Sequence, residues 1–396
     1  MDRLVNGLRF DGWVPCRLYW QAGEPGVEWC YLGSHRFCDP FFETTMHFEV
    51  QTPFNSLFRF RTPIAALADW RAFSPGLPPA GFIFHLSRCG STLITNLLGS
   101  LPQNLVLSEP GLLDRMIRSH VRAPWASVEQ RVAWLQWLVS ALGQPRTGAE
   151  RRLFIKFDPR SIVDFPLIRL AFPDVPWVFV YRDPVEVMVS NIRGASPLVN
   201  RGVLGLDFLM LDTAEIAVMD DDEYAARVLA IVAEAGARHA AANHGMLITY
   251  PQLPHAVWGS LQRHFGISLT AEEREQLKQA AMFNAKRPRE RFVSDIESKQ
   301  TEATGRVRAL ADQWLMPHYA RLEELRRAQS AQRFKALRSL ALENPPLFER
   351  LRGLPGREAF LEASLQAAAE AGLALDRADI EAALAEAAWL RGQRAL

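Results

Sequence analysis

The sequence has little cysteine, no excess of either charge and no long hydrophobic run. Its 396 residues include 45 Lys plus Arg and 44 Asp plus Glu, a formal net charge of +1, so no global field favours nucleic acid or an anionic membrane. No apolar run approaches the roughly 18 residues of a membrane helix, and the first residues lack the basic and apolar regions of a signal peptide. We therefore expect a water-soluble, cytoplasmic protein without a nucleic-acid or membrane partner.

The few cysteines limit the chemistry further. The four of them show no close Cys-x-x-Cys or Cys/His spacing of the zinc type, so we predict buried or idle thiols and no metal site. They are Cys16, Cys30, Cys38 and Cys89. Hydrophobic residues make up 48% of the chain and charged residues 22%, which is ordinary for a globular protein of two to three structural units.

Beyond residue 78, short apolar runs rich in branched and aromatic residues alternate with helical segments. This pattern predicts an α/β fold with an open parallel sheet wrapped by helices. Such sheets bind ligands outside the carboxyl ends of their strands, so the loops after these runs are where chemistry is expected. The runs are residues 82–84, 105–107, 153–155, 177–181 and 246–248.

Both flanks of this region differ from it. Residues 1–78 predict a small β-containing unit, with β-like runs at 29–32 and 47–50, and Thr62 and Pro63 predict the start of a helix. The middle domain is predicted at 79–330.

The third predicted domain, residues 331–396, is a helical appendage. Gly372 is expected to close one helix, and Asp376 with Asp379 to cap the next. The order β-containing unit, α/β domain and helical appendage is our prediction for the whole chain.

The strongest local signal is the run Ser87-Arg88-Cys89-Gly90-Ser91-Thr92. A strand that turns through a glycine into a helix presents free backbone N–H groups and a positive dipole end to an anion. Compared with the triphosphate loop G-x-x-x-x-G-K-[ST], His85 replaces the first glycine and Ser91 replaces the lysine. The run therefore predicts a phosphate loop that lacks the lysine of kinases and NTPases.

A second anion site is predicted around Arg182, which ends another buried strand. Asp183 is expected to be the N-cap of the following helix, Pro184 its first residue and Glu186 the capping partner. Ser190 lies two turns into that helix. An arginine fork with a hydroxyl suits a phosphate monoester better than a diester.

Together these two segments resemble the nucleotide site of the sulfotransferase superfamily, in its bacterial form, over about residues 80–325. The loop is similar to the family's 5′-phosphosulfate loop, with Cys89 replacing the common serine, and Arg182 with Ser190 to its 3′-phosphate motif. The resemblance implies a P-loop-type fold and 3′-phosphoadenosine 5′-phosphosulfate (PAPS) as co-substrate. The implied cofactor-binding residues are Arg88, Cys89, Gly90, Ser91, Thr92, Arg182 and Ser190. A basic stretch with Lys286 and Lys299 falls where the family closes a loop over the nucleotide, without individual assignments.

Sulfonate transfer requires in-line geometry, charge stabilisation and a base. Glu109 ends a predicted strand and resembles the acceptor base of tyrosyl-protein and related bacterial sulfotransferases; the alternative is a structural pair with Arg88 or a helix cap. Lys156 lies inside an apolar strand, where its charge is costly without an anion, so Lys156 and Arg88 are predicted to stabilise the sulfonate or leaving oxygen. A structural ion pair is the alternative for Lys156. Asp158 is a second candidate base, and His85 and His120 are weaker ones, since a lone histidine is more often structural.

The sequence therefore predicts a sulfotransferase that acts on a hydroxyl or amine acceptor, either a small molecule or a peptide. Two alternatives stay open: a P-loop kinase or NTPase, and a non-catalytic nucleotide-binding scaffold. Residues 344–351, 358–361 and 371–375, the last just before Asp376, resemble the nitrogenase-associated leader-like helical family, which implies a handle for a partner protein. The alternative for this segment is a packing or homo-oligomer contact.

Overall fold

The computed structural model describes residues 4–5, 8–194, 196–200, 213–373, 375–377, 379–381 and 383–384. The amino-terminal elements are β1 (Leu4–Val5), β2 (Leu8–Arg9), β3 (Trp13–Gln21), β4 (Glu24–Tyr31), α1 (Phe42–Glu49), α2 (Pro53–Phe58), β5 (Phe60–Pro63) and α3 (Ala66–Phe73). The central elements are β6 (Pro79–His85), α4 (Ser91–Ser100), β7 (Asn104–Ser108), α5 (Gly111–Ile117), α6 (Val128–Leu142), β8 (Arg152–Lys156), α7 (Phe165–Ala171), β9 (Trp177–Tyr181), α8 (Pro184–Arg193), α9 (Thr213–Val218), α10 (Asp221–Asn243) and β10 (Met246–Thr249). The remaining elements are α11 (Gln262–His264), α12 (Ala271–Ala280), β11 (Phe283–Asn284), β12 (Arg287–Arg291), α13 (Ile296–Glu302), α14 (Gly305–Leu310), α15 (Met316–Glu343), α16 (Pro345–Arg352) and α17 (Arg357–Glu370).

A five-stranded parallel sheet with the order β10-β9-β6-β8-β7 lies at the centre. Its strands contain all five predicted apolar runs. Both faces are covered, because alternate residues of one strand enter different apolar clusters, Phe82 and Phe84 one and Ile83 the other. The predicted α/β fold with a parallel sheet wrapped by helices is confirmed.

The strand order brings the predicted site residues to one edge of the sheet. β6 comes first in the chain yet lies between β8 and β9, so the strand order reverses there, as at the ligand sites of open α/β sheets. Lys156, the last residue of β8, is paired with Ser108 at the end of β7 and with Ile83 of β6. The ends of β6, β7 and β8 therefore meet at one crevice.

The amino-terminal unit is a three-stranded antiparallel sheet, β3-β4-β5, with short helices. Trp29 and Trp70 of this unit belong to the same buried cluster as Phe84 of the central sheet, so the unit packs directly on the central domain. Arg36 adds polar contacts between the two units, since its guanidinium donates to the backbone oxygens of Gly99 and Leu101 around the end of α4 and of Asn104 at the start of β7.

Two local predictions in this unit are wrong. Residues 47–50 were expected to be β-like, but 47–49 end α1, whose Phe42 and Met46 are four residues apart and face the core. Thr62 and Pro63 were expected to start a helix, but they end β5, and the next helix begins at Ala66. The Thr62 hydroxyl accepts a hydrogen bond from Trp29 Nε1 at 3.0 Å. The hydroxyl that was expected to cap a helix therefore makes a tertiary contact instead.

The carboxy-terminal segment is helical, as predicted, with its own buried cluster around Leu337, Leu347 and Leu361. Gly372 has a positive φ of 69° just after α17. Asp376 and Asp379 each accept a hydrogen bond from the other's backbone N–H, at 3.0 Å. Within the described ranges, no helix is long and apolar enough to cross a membrane.

Candidate active site

The predicted phosphate loop connects β6 to α4 and has an unusual backbone. Ser87, Arg88 and Gly90 all have positive φ, at 67°, 50° and 88°. A Cβ at position 90 would also lie 2.8 Å from the Tyr250 ring, so glycine is required there twice over. Gly90 precedes α4 and has no side chain that could cap it, which leaves the first amides of the helix to an anion.

Two contacts hold this loop in place. Cys89 is buried, and its Sγ donates to the backbone oxygen of Val180 on β9 at 3.2 Å. The Ser87 hydroxyl donates to Asn191 Oδ1 on α8 at 2.9 Å. The side chain of Cys89 therefore serves packing, and its backbone N–H remains the group that an anion would meet.

Glu109, Lys156 and His85 form the reaction edge, a cluster beside this loop. The Lys156 ammonium lies 2.6 Å from Glu109 Oε1, and His85 Nε2 lies 3.2 Å from the same oxygen. The backbone N–H of Glu109 donates to the Lys156 oxygen at 2.7 Å. The ammonium is fully buried and lies 3.4 Å from Thr92 Oγ1, so it connects the carboxylate to the phosphate loop.

The orientation of His85 is fixed by its neighbours. Its Nδ1 accepts a hydrogen bond from the Ser87 backbone N–H at 3.1 Å, so a neutral ring carries its proton on Nε2, toward Glu109. Burial opposes protonation of His85, but the neighbouring Cys89 thiol and Glu109 carboxylate raise its pKa. Sequence analysis left His85 as an isolated candidate base, because the chain separation of 24 residues conceals its contact with Glu109.

The charges of this cluster set the state of Glu109. Burial alone would raise the pKa of its carboxyl, but the Lys156 ammonium and His85 hold that pKa well below its usual range. Glu109 is therefore ionised at neutral pH, in the form that can accept a proton. Its backbone is in the left-handed region, with φ of 54°, a conformation that non-glycine residues adopt mainly at functional sites and turns.

The second anion arm is built on Arg182 at the end of β9. The buried guanidinium donates to Glu186 Oε2 at 2.5 Å and to Asp295 Oδ1 at 2.6 Å, and it lies 3.8 Å from the Tyr250 ring centroid. Asp295 also pairs with Lys299 at 2.7 Å. Asp295 and Tyr250 were not identified from the sequence, since they come from segments far along the chain.

The helix after Arg182 begins as predicted, with one difference. Asp183 is the N-cap and accepts from the backbone N–H of Val185 at 3.0 Å, and Pro184 is the first helical residue. Glu186 was expected to complete a capping box, but its carboxylate pairs with Arg182 instead. A charge-assisted bond to a guanidinium is stronger than a bond to one backbone N–H.

The structure brings the predicted phosphate loop and the second anion site into direct contact. Arg88 Nε donates to Ser190 Oγ at 3.0 Å, so the loop cation and the helix hydroxyl share one crevice. Ser190 is buried on α8. The alternative in which Arg88 is the partner of Glu109 is not what the structure shows.

The hairpin of β11 and β12 lies over this crevice. Asn96 Nδ2 of α4 donates to the Ala285 oxygen at the hairpin turn, at 2.5 Å. Burial, and then the charges of Arg88 and Lys156, lower the pKa of the neighbouring Lys286 to about 8. Three cations therefore converge around the loop, an arrangement that an anion between them would stabilise.

Asp158, the second candidate base, lies in a different network. Its Oδ1 accepts from the Arg160 backbone N–H at 3.0 Å and pairs with Arg160 Nε at 2.7 Å, so it caps the short helical turn Pro159–Ile162. Arg160 also pairs with Asp114 at 3.2 Å. Among the described residues, no hydrogen bond or ion pair joins Asp158 to Glu109 or Lys156; its role as a base stays a prediction.

Comparison with known proteins adds three solved structures. Sulfotransferase STF9 from Mycobacterium avium has 15% identity and a TM-score of 0.37, covering 60% of this chain and 76% of that one. The sulfotransferase domain from the curacin biosynthetic pathway has 14% identity and a TM-score of 0.38, covering 60% and 98%. Sulfotransferase STF1 from Mycobacterium tuberculosis H37Rv has 17% identity and a TM-score of 0.33, covering 54% and 76%.

All three are sulfotransferases. At identities of 14% to 17% and TM-scores of 0.33 to 0.38, this likeness establishes no function for the present chain. No protein-family model and no curated protein matches the chain.

Proposed function

We propose that the protein is a sulfotransferase that moves the sulfonate group of PAPS to a hydroxyl or amine acceptor. The observation that carries this proposal is the reaction edge beside the phosphate loop. Glu109 is ionised and aimed by Lys156 and His85, and Lys156 also reaches Thr92 of the loop. An anion cradle with an adjoining carboxylate base suits the transfer of an anionic group to a proton-bearing acceptor.

The residues present suit the two anionic ends of PAPS. The amides at the start of α4, Arg88 and Lys286 would hold the 5′-phosphosulfate. Among the described residues, Glu109 is the carboxylate paired with Lys156, while the charges of Arg88 and Lys156 lower the pKa of Lys286, so an added anion would relieve the repulsion between these cations. Arg182 and Ser190 would hold the 3′-phosphate, with Asp295 giving up its place on the guanidinium. PAPS supplies the activated sulfonate, and the chain supplies position and charge.

The proton and electron balance of the step is simple. A new bond forms between the acceptor oxygen or nitrogen and sulfur, while the bond between sulfur and the bridging phosphate oxygen breaks. Glu109 accepts the acceptor's proton, and adenosine 3′,5′-bisphosphate leaves with the bonding electron pair. No oxidant or reductant enters.

Lys156 has a double role in this step. While it pairs with Glu109 it lowers the basicity of the carboxylate. As negative charge grows on the bridging oxygen, the ammonium is drawn toward it, and the pKa of Glu109 rises as the pairing loosens. The base thus gains proton affinity when the acceptor loses its proton, and His85 keeps the carboxylate in position.

Calorimetry of nucleotide binding without magnesium tests the donor assignment. Adenosine 3′,5′-bisphosphate is expected to bind far more tightly than AMP or ATP, by about 2 to 4 kcal/mol for the 3′-phosphate with its charge-assisted partners. Equal affinity for AMP would refute PAPS as the donor, and tight binding of ATP that requires magnesium would favour the kinase or NTPase alternative.

A further inference from the structure

A cavity of about 440 Å³ lies between β3, α1 and α5, where the amino-terminal unit meets the central domain. Its lining combines charged and apolar side chains. The residues that matter here are Arg17, Glu28, Glu43, Met46, Leu112 and Arg115. Nothing in the proposed donor site uses any of them.

The cavity adjoins the reaction edge through α5. Gly111 lines it and follows Glu109 by two residues, a separation of at most about 7 Å along an extended chain. The Gly111 backbone N–H donates to Glu43 Oε1 at 3.0 Å, and a Cβ at 111 would lie 2.8 Å from that oxygen. Glycine therefore lets α1 approach the segment that carries the proposed base.

The segment just before α1 extends the same connection. The Phe41 ring lies 5.0 Å from the Lys156 ammonium and 5.6 Å from that of Lys286. Phe41 thus faces the crevice, while Glu43 and the largely buried Met46, on the helix that follows, contribute to the cavity lining. One short helix borders both.

The lining of the cavity carries more positive than negative charge. Glu28 already pairs with Arg59 and Arg61, both at 2.9 Å. Arg17 and Arg115 are exposed and make no ion pair with any residue that the structure describes. Glu43 also lines the cavity, where its carboxylate accepts from the Gly111 backbone N–H, so these two cations outnumber that one carboxylate. An excess of positive charge beside an apolar surface matches an organic anion better than a neutral or cationic ligand.

We propose that this cavity is the acceptor site and that it selects acceptors with an anionic group beside an apolar portion. The inference rests on the proposed function, since it names the substrate class of that same site. Arg17 and Arg115 bind the anionic group, and Met46 and Leu112 contact the apolar portion. The acceptor hydroxyl or amine reaches Glu109 past Gly111 when the Glu43 side chain leaves the Gly111 backbone N–H.

The test pairs acidic acceptors with neutral ones. 4-Hydroxyphenylacetate and 8-hydroxyoctanoate are each compared with their amides, by titration calorimetry on the full chain saturated with adenosine 3′,5′-bisphosphate and by turnover with PAPS. We expect the acids to bind and react at least about tenfold better, the scale of one charge-assisted contact. Arg17→Gln and Arg115→Gln should remove that preference and leave the amides unaffected, while Arg122→Gln, a matched exposed arginine outside the cavity, should preserve it.

Each outcome decides the inference separately from the proposed function. If the acids bind no better than the amides, or if Arg122→Gln acts as strongly as Arg115→Gln, the inference is overturned even where PAPS turnover is observed. If the acids bind preferentially through Arg17 and Arg115 but no sulfonate is transferred, the anion-selective cavity stands and the proposed function fails.

Discussion

The two buried cations of the site, Lys156 and Arg182, are both paired with carboxylates. The two carboxylates differ in how firmly the backbone holds them and in how exposed they are. Glu109, the partner of Lys156, is held to β8 by its own backbone N–H and has a side chain 22% exposed. Asp295, the outer partner of Arg182, lies just before α13 with a side chain 47% exposed. These similar ion pairs have different roles in the proposed function. Lys156 holds the base Glu109 in place, whereas Asp295 leaves Arg182 when a phosphate binds.

Removing the base should have the largest effect. Glu109→Gln is expected to lower kcat by roughly 10² to 10⁴, the range for a lost general base, without weakening donor binding. Glutamine keeps the size but cannot accept the proton. Steady-state rates at saturating PAPS measure this, and Asp158→Asn is the matched variant, expected to stay nearly as active as the parent.

The reverse pattern would reassign the base. If Asp158→Asn lost turnover while Glu109→Gln kept it, Asp158 would be the group that accepts the proton. If Glu109→Gln lost donor affinity instead of turnover, the carboxylate would be only a structural partner of Lys156.

Removing the cation of the second arm should act on binding instead. Arg182→Gln is expected to weaken adenosine 3′,5′-bisphosphate by about 30- to 1,000-fold, which corresponds to the loss of about 2 to 4 kcal/mol from charge-assisted contacts. AMP affinity should change little, because AMP lacks the 3′-phosphate. Calorimetry with both nucleotides measures the difference, with circular dichroism to verify folding, since Glu186 loses its partner. An equal loss for both nucleotides would contradict the assignment.

Much of the central sheet and several positions of the candidate site were predictable from the sequence. The five apolar runs predicted the sheet because strands buried on both faces are continuously apolar, and the glycine turn predicted the loop because few residues tolerate its backbone. The positions of Glu109, Lys156 and Arg182 at strand ends followed. The contact of His85 with Glu109 could not be predicted, because it depends on the order of the strands in the sheet. The contact of Asp295 with Arg182 could not be predicted either, because Asp295 comes from a distant segment and no local sequence pattern marks it. The prediction of a helix start at Thr62 was wrong for the same reason, because its hydroxyl accepts a hydrogen bond from the distant Trp29.

The pH dependence of nucleotide binding tests the role of Lys286 beside the phosphate loop. Its pKa of about 8 in the free protein means that the ammonium is charged below that pH and must gain a proton on anion binding above it. Affinity for adenosine 3′,5′-bisphosphate should therefore be flat below pH 8 and fall above it, by up to about tenfold per pH unit for one linked proton. Lys286→Met should bind more weakly and lose this step. A parent profile that stays flat from pH 7 to 10 would place Lys286 outside the anion site.

The smallest expected effect tests whether Asp295 yields to phosphate. Asp295→Asn removes the carboxylate that occupies Arg182, and a half-exposed ion pair is worth about 0 to 1 kcal/mol. We therefore expect adenosine 3′,5′-bisphosphate to bind up to about fivefold more tightly. Glu297→Gln, an exposed carboxylate on α13, should change nothing. Weaker binding by Asp295→Asn alone would show that Asp295 positions the arginine for the ligand.

Following the sulfonate group from donor to acceptor tests whether the protein is a sulfotransferase. The full chain is incubated with PAPS carrying labelled sulfur and with phenols, sugars, lipids and peptides, and label in each acceptor is counted beside that produced by Glu109→Gln. We expect labelled acceptor and stoichiometric adenosine 3′,5′-bisphosphate from the parent, and at least about 100-fold less of both from the variant. Labelling by Glu109→Gln at the parent's rate, or labelled PAPS that binds and is never consumed with any acceptor, would contradict it.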